Sequence, residues 1–292
     1  HLITLEPMLG APVTLELSAP VVDIARALID SPSPSGHEVG LADAIEAALR
    51  ATAHLEVIRH GNTVAARTHQ GLPSRVVWAG HIDTVPANGN DRSSVSDGFV
   101  HGRGSVDMKS GVALGLKLAV ELTNPSVDVT WIFYDNEEVE IAKNGLGLLG
   151  AAHPEWVRGD FAIVGEPSNA IVEGGCNGTL RVEVSATGTR AHSARSWRGD
   201  NAIHRAHGIL ERLVSYQPAT VDVDGLAYRE GMNAVGIRGG VAGNVIPDDC
   251  TVTVNYRFAP DKGVPDAIAH VRGLFDGFDV VVVDEAPGAR PG

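Results

Sequence analysis

Where the apolar runs of this sequence stop, a histidine or an acid tends to follow. The run RVVWAG over residues 75–80 gives way to His81, with Asp83 two positions on, in the stretch AGHIDTVP. In an extended strand, residues i and i+2 share a face, so an imidazole and a carboxylate would crowd one strand end. A metal-ligating histidine commonly donates its second ring N–H to a carboxylate, which makes Asp83 a suitable orienter for His81. Taken alone, the pair is as simply read as a turn-capping acid beside a backbone-bonded histidine. Residues 101–111, HGRGSVDMKSG, place Asp107 in the first turn of an apolar helical stretch. By itself this too reads as a helix cap. The run VDVTWIFY over 127–134 ends in Asp135-Asn136-Glu137-Glu138, and the run over 159–164 ends in Gly165-Glu166-Pro167-Ser168. Asp83, Asp107, Glu137, Glu138 and Glu166 brought together without a cation would repel and raise one another's pKa values. A divalent metal removes that conflict. One histidine with several carboxylates is hard ligation that suits zinc, cobalt or manganese, and an aspartate able to bridge two ions marks two-metal hydrolysis.

The elements that must position these groups follow from periodicity. Apolar residues recur at helical spacing over 19–30, 38–51 and 108–122, and short strands are expected over 55–58, 62–67, 75–80, 127–134 and 159–164. Residues 86–97 are polar and glycine-bearing and read as a loop. Strands alternating with helices imply an α/β fold with a mostly parallel sheet, whose ligands bind beyond the carboxyl ends of the strands. The fragment GRGSVD lacks the third glycine of a dinucleotide fingerprint and no clean strand immediately precedes it.

After residue 176 the pattern changes to a strand over 179–187, a helix over 201–216, strands over 233–239 and 251–258, a helix over 264–275 and a strand over 278–284. This β-α-β-β-α-β order is the ferredoxin-like α+β arrangement, complete within the chain and so expected as an inserted domain. The expected division is 1–176 catalytic, 177–285 inserted and 286–292 a connector. His192 in the segment RAHS, Asn244 in a turn and Arg257 near a strand end are polar groups that each admit a plain surface reading. His204 and His207 fit a polar helix face better than a metal pair.

The 292 residues carry 36 Asp plus Glu against 23 Lys plus Arg, a net charge of −13, with 43% hydrophobic residues. That composition describes a globular chain with a substantial core and argues against nucleic acid as a partner. Two cysteines, Cys176 and Cys250, exclude a disulfide framework and a four-cysteine zinc site. No long apolar span and no signal-peptide pattern occur, so no membrane association and a cytoplasmic location are expected. The sequence opens on His1, and Met8 is the expected start.

Together AGHIDTVP, HGRGSVDMKSG, YDNEEV, VGEPS, GTRAHSA and GNVIPDD followed by NYRFAP resemble the dinuclear-zinc M20 amidohydrolases, from about residue 8 to residue 292. The resemblance implies that His81, Asp107 and Glu166 hold one Zn2+ and that Asp107 bridges to a second, which Glu138 also binds. It implies that Asp83 orients His81, and that Glu137 is the general base that takes a proton from the attacking water and returns it to the departing amine. It further implies a homodimer formed through the lid-like inserted domain, His192 reaching across that interface to the oxyanion, Asn244 and Arg257 on substrate carboxylates, and a cis peptide at Asp107–Met108. The substrate class implied is a small N-acyl dicarboxylic amino acid, specifically the N-succinyl amide of LL-2,6-diaminopimelate. The rival readings are another N-acyl-amino-acid deacylase, a metallopeptidase, or a non-catalytic dimeric binding protein. Members of the family return to the catalytic domain after the insert and supply a last histidine to the second zinc. Here the tail EAPGARPG ends at Gly292, so the expectation is a longer natural chain or a weakened second site.

Overall fold

Alternation along the central strands sets two apolar layers on opposite sides of one sheet. The computed structural model describes residues 14–291, so the expected start at Met8 lies outside the described residues. The chain folds as two units, His1–Ile171 and Val172–Gly292.

The first unit contains α1 (Val21–Ile29), α2 (Val39–Arg50), β1 (Glu56–His60), β2 (Thr63–Arg67), β3 (Arg75–His81), β4 (Ser94–Ser96), β5 (Phe99–His101), α3 (Lys109–Glu121), β6 (Asp128–Tyr134), α4 (Gly145–Ala152) and β7 (Phe161–Val164). Its main sheet has the order β1-β2-β6-β3-β7. β3 runs parallel to both β6 and β7, and only β2 is reversed against its neighbours. Trp78, Trp131 and Phe133 face a core shared with Leu28, Ile45 and Leu116 of α1, α2 and α3. Val77, Ala79 and Ile132 point to the other side and pack with Leu149 of α4 and Trp156. Burial of such side chains contributes about 1.5–3 kcal/mol each relative to exposure.

α3 lies unusually close to the sheet because glycine lines its inner face. A Cβ on Gly115 would stand 2.6 Å from the Trp78 ring, and one on Gly111 would stand 2.4 Å from the carbonyl oxygen of Gly165. This close approach sets the start of α3, and so Asp107, beside the end of β7.

Residues 86–97 are not wholly a loop. Ser94–Ser96 pairs with Phe99–His101 around Asp97 and Gly98, whose φ values of 53° and 81° are those of a two-residue hairpin turn. The strand SVS is too short and too polar to show alternation in the sequence. α4 is equally hidden there: GLGLLGAA is poor in helix formers apart from leucine and alanine, and the Asn144 side chain starts it by accepting from the N–H groups of Leu146 and Gly147.

The second unit contains β8 (Gly178–Thr187), β9 (Ala191–His192), α5 (Ala202–Arg205), α6 (His207–Ser215), β10 (Thr220–Val223), β11 (Leu226–Arg229), β12 (Gly231–Gly239), β13 (Val245–Ile246), β14 (Asp249–Phe258), α7 (Val264–Leu274) and β15 (Asp279–Ala286). The sheet order β12-β14-β8-β15 is the antiparallel order of a ferredoxin-like split βαβ unit. The helix expected over 201–216 is two helices that meet at Ala206. A β10–β11 hairpin, turned at Asp224-Gly225, is added to the basic pattern. Residues beyond β15 do not run free: Cys176 and Ala289 exchange backbone hydrogen bonds of 2.8 and 3.1 Å. Both cysteines are free.

Candidate metal centre

The parallel register brings three strand ends to one edge. His81 closes β3 opposite Tyr134 of β6, while Ala79 lies opposite Val164 of β7, so the segments 135–138 and 165–166 emerge beside His81. The peptide between Asp107 and Met108 is cis, and α3 begins at the next residue. His81 is fully buried. Its Nε2 lies 2.9 Å from Asp107 Oδ1 and 3.9 Å from Glu166 Oε1. Two groups of donor atoms, each within 4.8 Å of one another, share this histidine: His81 with Asp107 and Glu166, and His81 with Glu137 and Glu138.

Asp83 does more than face the histidine. Its backbone oxygen is 3.0 Å and its Oδ1 3.3 Å from His81 Nδ1. Oδ1 also accepts from the Glu137 N–H at 3.0 Å, and Oδ2 from the Glu138 N–H at 3.2 Å and the Ser35 hydroxyl at 2.7 Å. One carboxylate therefore fixes the imidazole and the backbone that carries both glutamates. Burial favours its protonated form, but the contacts with His81, the two N–H groups and Ser35 prevail and hold its pKa below the ordinary aspartate value. Ser35 is absent from the residues that the sequence singles out, because SPSPSG reads there only as a helix terminator. The second serine of that loop, Ser33, donates to the Ile82 oxygen at 2.7 Å.

The remaining acids show the strain of convergence. Burial raises the Glu166 pKa to about 7, with Asp107 and Glu137 adding to the rise and His81 opposing it. Glu138 is raised chiefly by burial, then by the charges of Asp107 and Glu137. Burial alone would lower His81, yet hydrogen bonds to Asp83 and Asp107 and the charge of Glu166 lift it to about 9. A protonated imidazole thus serves as the local counter-charge. A divalent cation fits the same donor set, with hard oxygen donors, one imidazole and an already oriented ring.

A pH dependence follows for metal-free protein. Glu166 is raised from 4.5 to about 7 and His81 from 6.5 to about 9. In both cases the proton is held more tightly in the folded state. Their stabilising contributions are present below the unfolded pKa values and are lost as pH rises through the folded ones. Urea unfolding of chelator-treated protein should show stability falling from about pH 5 to 9, and excess zinc should restore it most at the alkaline end. A flat profile in chelator would contradict this charge assignment.

A profile of peptidase family M20/M25/M40 matches residues 77–284, from β3 to β15. The chain belongs to this family. As an M20 chain it is 53% identical over 281 residues to a Mycobacterium tuberculosis protein provisionally named succinyl-diaminopimelate desuccinylase DapE, covering 95% of this chain and 79% of that one. It is 47% identical over 288 residues to the succinyl-diaminopimelate desuccinylase of Corynebacterium glutamicum, covering 95% and 78%. A tripeptidase structure from Staphylococcus aureus superposes with a TM-score of 0.70 at 18% identity, covering 96% of this chain and 78% of the other. A dinuclear metal-binding M20 peptidase from Bacillus subtilis superposes with a TM-score of 0.62 at 18% identity, covering 92% and 74%. At such identities these two structures bear on the M20 fold alone, and they share its mixed α/β architecture.

The M20 chain carries its other expected site residues in the second unit. His192 ends β9, where it pairs with Val245, and the Ser193 N–H donates to the Asn244 oxygen at 2.9 Å. His192 and Asn244 therefore share one small ribbon. Arg257 does not join them. It pairs with Thr179, whereas Asp249, at the ribbon end of β14, pairs with Thr187. Arg257 stands eight positions along β14 from Asp249, about 27 Å. Within one unit Arg257 lies at the end of β14 away from the ribbon beside Asn244.

Proposed function

We propose that this M20 chain hydrolyses the N-succinyl amide of LL-2,6-diaminopimelate, releasing succinate and LL-2,6-diaminopimelate, a step on the route to lysine. The observation that carries this reading is identity of 53% and 47%, across 95% of the chain, to two relatives bearing that name. The convergence of His81, Asp107, Glu137, Glu138 and Glu166 supports the same chemistry.

His81, Asp107 and Glu166 would hold one zinc, and Asp107 and Glu138 a second. When bound, the ions supply Lewis-acid chemistry, polarising the amide carbonyl and making water a better nucleophile at neutral pH. Asp83 keeps the His81 ring and the Glu137-Glu138 backbone in place, so the acids need little rearrangement. A Glu137 carboxylate oxygen takes a proton as water oxygen attacks the carbonyl carbon. It returns that proton to the amide nitrogen as the C–N bond breaks. His192 is assigned to the developing oxyanion, and Asn244 and the Arg257 fork to substrate carboxylates.

In the proposed domain organisation, residues 1–176 form the catalytic domain and 177–285 a lid through which two copies pair. The separation of Arg257 from Asn244 accords with pairing, because groups at opposite ends of one lid can serve two different sites. β12 is a sheet edge with exposed Val235 and Ile237, a surface suited to pairing. A monomeric mass by light scattering at working concentration would remove the dimer from this account. No described helix is long and apolar enough to cross a membrane. A biosynthetic role and unpaired cysteines fit the cytoplasm.

A substrate panel tests the reading. With zinc present, N-succinyl-LL-2,6-diaminopimelate should be cleaved with a kcat/KM at least about a hundredfold above those for N-acetylornithine and dipeptides, the margin expected where fixed charges read a second carboxylate. A preference for either competitor would assign the chain to another M20 activity.

A further inference from the structure

A concave site lies in the first unit, and none of the five metal-centre residues lines it. It is a cavity of about 370 Å³ bounded by the loop after Asp83, the segment before α3 and the end of α1. Two cationic side chains, Arg103 and Lys109, line it together with Asp91. Lys109 is almost fully buried and its ammonium donates to the carbonyl oxygens of Leu28 and Ser31 at 2.9 and 2.7 Å. Arg103 is less well served: its Nε is buried without a hydrogen-bond partner, and no described carboxylate forms an ion pair with its guanidinium. A guanidinium keeps its charge at any working pH, and leaving such a donor unpaired in a recess is costly.

We propose that this cavity binds an aliphatic monocarboxylate, with Arg103 as its anchor. The guanidinium fork matches the two oxygens of a carboxylate. Pro32, Pro34 and Ala87 line the same space and offer apolar surface to a short alkyl chain. Asp91 on the same lining disfavours a dianion such as phosphate, which would meet a like charge with only one unpaired guanidinium to offset it. The site is independent of the proposed amide hydrolysis. A ligand there would bridge the loop that follows Asp83 and the segment that leads to Asp107.

Calorimetric titration of chelator-treated protein with hexanoate and butyrate, with inorganic phosphate as the comparison, tests the proposal without any contribution from metal. Hexanoate should bind saturably, butyrate more weakly and phosphate more weakly still. Arg103→Gln should weaken hexanoate by about tenfold or more, the loss of a charge-assisted pair. Ala87→Trp, which fills the cavity and leaves Arg103 in place, should abolish binding, and it decides the matter if Arg103→Gln does not fold. Absence of saturable hexanoate binding, unchanged affinity in either folded variant, or phosphate binding as tightly as hexanoate would overturn the assignment.

Discussion

Glu137→Gln should lower kcat by about 10²–10⁴-fold, the range for loss of a general acid–base group, with KM and bound zinc little changed. The substitution preserves the shape of the side chain while removing its capacity to take a proton and the negative charge that adds to the rise of Glu166 and Glu138. The fold around it should not notice, because position 137 is held through its backbone N–H on Asp83. The same N–H remains in the glutamine variant. Circular dichroism and metal content should therefore match the parent while turnover of the succinylated substrate collapses. Parent-like turnover in this variant would move the proton transfer to another group and remove Glu137 from the mechanism.

Asp107→Asn should be nearly as damaging by a different route. Asp107 is 2.9 Å from His81 Nε2, shares a donor group with His81 and Glu166, and sits at the opening of α3. A carboxamide offers one weak neutral oxygen where two charged ones stood, so zinc affinity should fall by at least about 10–100-fold, the effect of losing even an outer partner of a ligand. Activity should fall with it, and added zinc should restore part of the loss. That rescue separates the two variants: Glu137→Gln should not respond to zinc. Zinc binding by Asp107→Asn equal to that of the parent would mean that the proposed bridging role is wrong.

The parts of the site that could be read from the sequence are those carried by periodicity and by abrupt changes of polarity. β3, β6 and β7 announce themselves as apolar runs, and each run stops at the acids or the histidine that it delivers. The parallel pairing of His81 with Tyr134 then turns a one-dimensional pattern into a shared edge. The ferredoxin-like order of the second unit is legible for the same reason, since β8 alternates between buried and less buried positions along its length. The clamp made by Asp83 is not legible. Its partners Ser35, Glu137 and Glu138 lie 48, 54 and 55 residues away along the chain, and no local rule of spacing links a serine in a proline-rich loop to a distant acid. Nor could spacing reveal that Arg257 lies at the end of β14 away from the ribbon beside Asn244. They are close neighbours in the sequence, but β14 runs extended between them. The hairpin at Asp97-Gly98 carries a turn signal, yet its strands are too short to alternate.

The converged acids and His81 are proposed to form a zinc site that drives amide hydrolysis. The most direct test is a zinc titration of chelator-treated protein, reading bound metal per chain and hydrolysis of N-succinyl-LL-2,6-diaminopimelate in the same samples. At least one tightly held zinc per chain, no turnover in chelator, and turnover that rises in step with occupancy are expected. Turnover that persists in chelator, or zinc bound no more tightly than by a His81→Ala variant, would contradict it.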